Sequence, residues 1–174
     1  MPNAAPIRPR RSVLYMPASR TSALEKAKSL PADALIFDLE DAVAPDAKAT
    51  AREQACAAAA SGTYGRREIV IRANGLATPW GYADLAAIAK SGADAALLPK
   101  VESAAMLAQA SEILDEAGAP ADMKLWAMVE TPLAMLQIQD IARSPRLACL
   151  VMGTSDLAKD LNAAHTPDRL PFVT

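Results

Sequence analysis

Short, continuously apolar runs alternate with alanine-rich segments along the chain, and no other feature restricts its possible folds so strongly. The runs are Ser12–Pro17 (SVLYMP), Ala34–Leu39 (ALIFDL), Glu68–Arg72 (EIVIR), Asp94–Pro99 (DAALLP), Lys124–Val129 (KLWAMV) and Leu147–Met152 (LACLVM). A strand with one wet face alternates apolar and polar residues, whereas a continuous apolar run of this length marks a strand covered on both faces. The stretches between them, about Ser19–Ser29, Asp46–Ala60, Trp80–Lys90, Ser103–Ala117 and Leu133–Ala142, predict helices, and another begins at Leu157–Leu161. Alanine is the best helix former, and its small side chain lets helices lie close on a sheet. Ser19 is expected to cap the first helix, with Ser22 and Glu25 spaced like a capping box.

Strand–helix alternation of this kind builds parallel βαβ units. Two architectures satisfy it, an open doubly wound sheet and a closed barrel. The dinucleotide-binding open sheet carries a glycine-rich loop after its first strand. Here that loop reads Pro17-Ala18-Ser19-Arg20, without glycine. The expectation is therefore α/β, a TIM-type (β/α) barrel with six of eight βα units. An incomplete barrel is expected over residues 12–174, after a flexible tail at 1–11. Two further units would need roughly 50–60 more residues, so the sequence reads as a piece of a longer protein. Its first and sixth strands should then carry open edges.

Charge and length narrow the function classes. A chain of 174 residues suits one domain with a real core. Eighteen Lys and Arg against twenty Asp and Glu leave no basic stripe for nucleic acid. No run approaches the roughly 18 apolar residues of a membrane span. Cys56 and Cys149 stand far apart among apolar neighbours, which predicts buried, reduced thiols and a cytoplasmic protein. Arg8, Arg10 and Arg11 read as solvated, and no apolar stretch of signal-peptide length follows them. His165, on a polar stretch, reads as a surface residue.

A barrel builds its active site from residues just after its strands. Five successive strand ends here are charged or polar: Asp38-Leu39-Glu40-Asp41, Arg72-Ala73-Asn74-Gly75, Pro99-Lys100-Val101-Glu102, Glu130-Thr131-Pro132 and Gly153-Thr154-Ser155-Asp156. Glu130 and Asp156 follow neighbouring strands, so their carboxylates can share one coordination sphere. Oxygen ligands without His or Cys suit Mg²⁺ or Mn²⁺ rather than Zn²⁺. The competing reading makes Asp156 a helix cap. Arg72 presents a permanently charged fork suited to a substrate carboxylate or an oxyanion, unless it merely pairs with Glu40 or Asp41.

With these strings in place, the chain resembles the citrate lyase beta subunit family, which includes malyl-CoA and citramalyl-CoA lyases and is related to class II pyruvate aldolases. The resemblance is carried by Ser12-Val-Leu-Tyr15-Met-Pro17-Ala-Ser-Arg20, Asp38-Leu-Glu40-Asp41-Ala-Val, Leu98-Pro99-Lys100-Val-Glu102, Glu130-Thr-Pro132 and Gly153-Thr-Ser-Asp156-Leu, in order from Arg11 to about Leu161. It implies a barrel acting with Mg²⁺ on a CoA or acyl-carrier thioester of a 3-hydroxy diacid. Carbon–carbon cleavage would release an acyl thioester and a 2-oxo acid. By the same resemblance Glu130 and Asp156 hold the metal and Arg72 grips the oxo-acid. Glu40 and Asp41 form the acidic pair near the metal waters, Gly153 lines the substrate, and Arg20 and Lys26 meet the CoA phosphates. A homo-oligomer, trimer or hexamer, is implied for the full-length protein. Two rival readings are a pyruvate-dependent class II aldolase and a non-catalytic barrel subunit. The aldolase has a histidine base after its second strand, where this chain has Asp41.

Overall fold

The computed structural model describes residues 8–172, and the first seven residues of the expected tail lie outside them. Its strands are β1 (Val13–Pro17), β2 (Ala34–Asp38), β3 (Glu68–Arg72), β4 (Ala95–Leu98), β5 (Lys124–Val129) and β6 (Leu147–Met152). Helices are α1 (Thr21–Ala27), α2 (Lys48–Ala60), α3 (Gly81–Ile88), α4 (Ala104–Glu116), α5 (Pro132–Leu136), α6 (Ile138–Ala142) and α7 (Thr154–Asp160). The strands pair in chain order, β1 to β6, all parallel. They curl into an open barrel with the helices outside it, as the apolar runs predict.

Period-two alternation along each strand divides the core in two. Leu35, Phe37, Ile69, Ile71, Ala96, Leu98, Leu125 and Ala127 face the helices, where they meet Leu24, Ala55, Leu85, Ile88, Leu107 and Leu114. Ala34, Ile36, Val70, Ala95, Leu97, Trp126 and Met128 form a separate inner cluster. Strands β2 to β5 are buried on both faces, which explains their unbroken apolar sequences. Each outermost strand pairs on one side only, and Leu14, Tyr15, Leu150 and Met152 are exposed there.

Several expectations need correction. Ser19 does not cap α1; Arg20 stands at the cap with no side-chain bond, and Glu25 instead pairs with Lys28. The helix expected over Leu133–Ala142 is broken at Gln137 into α5 and α6, the first started by the Thr131 side chain and Pro132. Arg8 and Arg11 are exposed, as expected, whereas Arg10 is partly buried. All three pair, with Asp94, Asp33 and Glu68 respectively, across the amino ends of β2, β3 and β4. Arg10 grips both oxygens of the buried Glu68 at 2.7 and 2.8 Å and lies 5.0 Å from the Trp126 ring. Cys56 and Cys149 are free thiols but only half-buried. His165 is exposed, as expected.

Candidate active site at the carboxyl ends of the strands

A cavity of about 280 Å³ opens at the carboxyl end of the sheet, lined among others by Tyr15, Asp41, Arg72, Glu130, Gly153 and Asp156. Five of these are site residues expected from the sequence or lie beside them; Tyr15 is an addition. They arrive there because β1, β2, β3, β5 and β6 all end on this side, and the chain emerging from a strand end must turn across the mouth.

Arg72 is the centre of the charge network. It ends β3 directly opposite Asp38, its register partner at the end of β2. Its Nε donates to Asp38 Oδ1 at 2.7 Å and its Nη2 to Asp38 Oδ2 at 2.6 Å, with both side chains under 8% exposed. The principal partner is therefore Asp38, not Glu40 or Asp41. Glu40 Oε2 stands 2.8 Å from Nη1, and Asp41 Oδ2 is 3.5 Å from Nη1 and Nη2 alike. Only the first of these distances is short, and Glu40 Oε2 is out of hydrogen-bond alignment and has no hydrogen-bond partner. Burial pushes the Glu40 carboxyl up to about 7, against the opposing pull of Arg72. The Arg72 guanidinium also lies 5.5 Å from the Tyr15 ring, whose hydroxyl donates to Met128 Sδ at 3.2 Å. Burial raises the Tyr15 phenol to about 12, so it stays neutral.

Across the cavity, Glu130 is buried at the end of β5 and Asp156 lies in the first turn of α7. Lys100 links them. Its backbone N–H donates to Glu130 Oε1 at 2.8 Å, and its ammonium reaches Asp156 Oδ2 at 3.3 Å. Lys100 adopts φ +48°, in the left-handed region, which costs a non-glycine residue free energy and recurs at functional sites. Gly153, not Asp156, occupies the cap of α7, so the capping reading of Asp156 does not hold. The Gly153 N–H donates to Val129 O and its carbonyl accepts from Leu157 N. A Cβ there would stand 2.5 Å from Glu130 Cβ and Oε2. The glycine thus leaves room for the carboxylate, and its own polar groups are already used.

The donor set suits a hard cation. Among the described residues no three His, Cys, Asp or Glu side chains form a ready-made ligand group. Two carboxylates on one cavity are nevertheless the usual protein share for Mg²⁺, which keeps waters in its other positions. Burial, with the nearby Asp156 charge, holds the Glu130 carboxyl above its ordinary range, and a divalent ion would relieve both. Five carboxyl groups (Asp38, Glu40, Asp41, Glu130, Asp156) outnumber the cations beside them, Arg72, Lys100 and Lys48, an imbalance that an anionic substrate alone would worsen. Arg20 and Lys26 are exposed beyond β1 and do not line the cavity.

Sequence reasoning missed three contributors. Asp38 has nothing in the sequence to set it apart from Glu40 and Asp41; aligning the ends of the second and third strands pairs it with Arg72. Lys48, buried on α2, donates to Leu39 O at 2.8 Å and Glu40 O at 2.6 Å, and nothing local in the sequence marks it. Tyr15 sits inside the first strand, where an aromatic reads as core.

Comparison with known proteins matches this architecture. The sequence profile of HpcH/HpaI aldolase/citrate lyase fits residues 11–171. A (3S)-malyl-CoA thioesterase of Cereibacter sphaeroides is 49% identical over 166 residues, covering 95% of this chain and 56% of that protein. The citrate lyase subunit beta of Escherichia coli is 36% identical over 167 residues, covering 92% and 55%. The crystal structure of CitE from Mycobacterium tuberculosis with magnesium, acetoacetate and coenzyme A superposes with a TM-score of 0.73 at 28% identity, covering 92% of this chain and 56% of that one. The chain spans about half the length of the curated relatives it matches.

Proposed function

The chain belongs to the HpcH/HpaI aldolase/citrate lyase family, and on that premise we propose that it carries most of the active site of an Mg²⁺-dependent enzyme cleaving a malyl-type CoA thioester. The observation that carries this reading is the single cavity holding Arg72 on one wall and Glu130 and Asp156 on the other. Glu130 and Asp156 would hold the metal, which supplies Lewis-acid polarisation of the substrate's hydroxyl and carboxylate oxygens when bound.

Arg72 provides fixed positive charge for the substrate's terminal carboxylate. Glu40 is suited to proton transfer at neutral pH, because its carboxyl titrates near 7 and one buried oxygen is without a hydrogen-bond partner. Asp41, exposed beside it, keeps the mouth acidic. Gly153 contributes to substrate binding by the space it leaves, and the exposed Arg20 and Lys26 would meet the CoA phosphates.

Two bonds are open to such a site. In carbon–carbon cleavage, the reaction of a lyase, Glu40 takes the 3-hydroxyl proton as the bond between C2 and C3 breaks, giving a 2-oxo acid and a thioester enolate. A proton returned to the enolate carbon completes the acyl thioester. In hydrolysis it takes a proton from water, giving the free diacid and CoA. The thioesterase relative at 49% identity favours hydrolysis; the citrate lyase subunit at 36% favours cleavage. Incubating the protein with (3S)-malyl-CoA and Mg²⁺ separates them. Free thiol with malate identifies the hydrolase, and acetyl-CoA with glyoxylate the lyase. A longer protein containing this sequence that forms neither product, from malyl-CoA or from citramalyl-CoA, would refute the reading.

A further inference from the structure

We propose that Asp38 is a positioning residue: it locks one edge of Arg72 and leaves the other as the only edge offered to a substrate carboxylate. This rests on the functional reading above. A guanidinium has two edges that can fork onto a carboxylate, Nε with Nη2 and Nη1 with Nη2. Asp38 takes the first at 2.7 and 2.6 Å, deep in the sheet, where solvent does not compete. The second has Glu40 Oε2 2.8 Å from Nη1, out of hydrogen-bond alignment, and Asp41 Oδ2 3.5 Å from both nitrogens, on a side chain 74% exposed. The Asp41 contact is long and wet, and Glu40 Oε2 makes no hydrogen bond there, so an incoming carboxylate takes up donors that no aligned short bond holds.

Asp38 also sets the acidic loop. Its Oδ1 accepts from Glu40 N at 2.8 Å and its Oδ2 from Ala42 N at 3.3 Å. Lys48 holds the same loop from the opposite side through the carbonyls of Leu39 and Glu40, with its ammonium 5.4 Å from the Trp80 ring. One buried carboxylate thus joins the arginine to the segment bearing Glu40 and Asp41. In this arrangement Asp41 is a competitor for the substrate's place.

The test uses the full chain with pyruvate as the 2-oxo acid probe at saturating Mg²⁺. Asp38→Asn keeps the shape but removes the charge, and Asp38→Glu keeps the charge but moves it. Both should bind pyruvate at least tenfold more weakly by calorimetry. Mg²⁺ affinity without pyruvate should stay within twofold, since Asp38 makes no hydrogen bond to Glu130 or Asp156. The Arg72 Nε–H resonance should exchange slowly with water in the parent and rapidly in Asp38→Asn. Asp41→Ala should bind pyruvate as tightly as the parent or tighter. Unchanged pyruvate affinity and unchanged Arg72 exchange in a folded Asp38→Asn protein overturn the proposal. If that variant does not fold, Asp41→Ala decides, and weaker pyruvate binding in it overturns the proposal. A parent that binds no pyruvate sinks the functional reading, while the exchange measurement still judges the lock by itself.

Discussion

Replacing Gly153 with alanine perturbs the site by one methyl group, and the outcome follows from its surroundings. The added carbon would stand 2.5 Å from both Cβ and Oε2 of Glu130 and 3.1 Å from Met128 Cε. Relaxing Oε2 alone is insufficient, because Cβ is fixed to the backbone of Glu130, so the end of β5 and the start of α7 must part by about 1 Å to reach ordinary contact. Overpacking of this kind costs about 1–3 kcal/mol. The shift also strains the 2.8 Å bond from Lys100 N to Glu130 Oε1, a charge-assisted bond worth about 1.5–3 kcal/mol if lost. At about 2–4 °C per kcal/mol for a chain of this size, the melting temperature should fall by at least about 2 °C and up to about 24 °C. Backbone strain is no part of this, since Gly153 has φ −92°. Differential scanning calorimetry with EDTA reads the packing cost, and isothermal titration with Mg²⁺ reads the displaced carboxylate as an affinity loss of tenfold or more. A variant with unchanged melting temperature and Mg²⁺ affinity refutes both the close approach and the role of Glu130.

Asp156→Asn removes one anionic oxygen from the proposed metal pair, so calorimetry should show weaker Mg²⁺ binding; equal affinity removes Asp156 from the site. Arg72→Lys keeps the charge but loses one of two short bonds to Asp38 and the planar outer edge. Both the melting temperature and kcat/KM should fall, the latter by about 30- to 800-fold for a loss of about 2–4 kcal/mol; a variant with unchanged kcat/KM excludes Arg72 from catalysis. Glu40 titrates near 7 in the fold against about 4.5 unfolded, so its contribution to stability is full below about 4.5 and is lost as pH rises through 7. Metal-free Glu40→Gln, which cannot ionise, should therefore gain on the parent between pH 4.5 and 8, by about 1–2 kcal/mol after solvent screening. Urea melts at both pH values check this, and a stability difference independent of pH contradicts it.

The order and parallel pairing of all six strands were determined by the sequence itself: burial on both faces leaves apolar runs in β2 to β5 that local reading detects, and β1 and β6 carry like runs although they are more exposed. Glu68–Arg72 and Lys124–Val129 even keep their expected bounds. The strand ends were legible for the same reason: each run stops at a polar cluster, and the barrel turns those clusters toward one mouth. Caps and helix breaks were less legible. The failed Ser19 cap and the break at Gln137 depend on how the chain leaves a strand and lies on its neighbours. Tertiary structure alone decided the partners. Glu40 and Asp41 follow Asp38 so closely that sequence spacing cannot say which of the three acids Arg72 meets; strand register does, by placing Asp38 beside it on the same face. Likewise Arg10 finds Glu68 and Trp126, and Lys48 finds the carbonyls of Leu39 and Glu40, only once the sheet has curled. Periodicity encodes which face of an element is buried, but a charge–charge contact depends on distances between separate elements, and packing sets those distances.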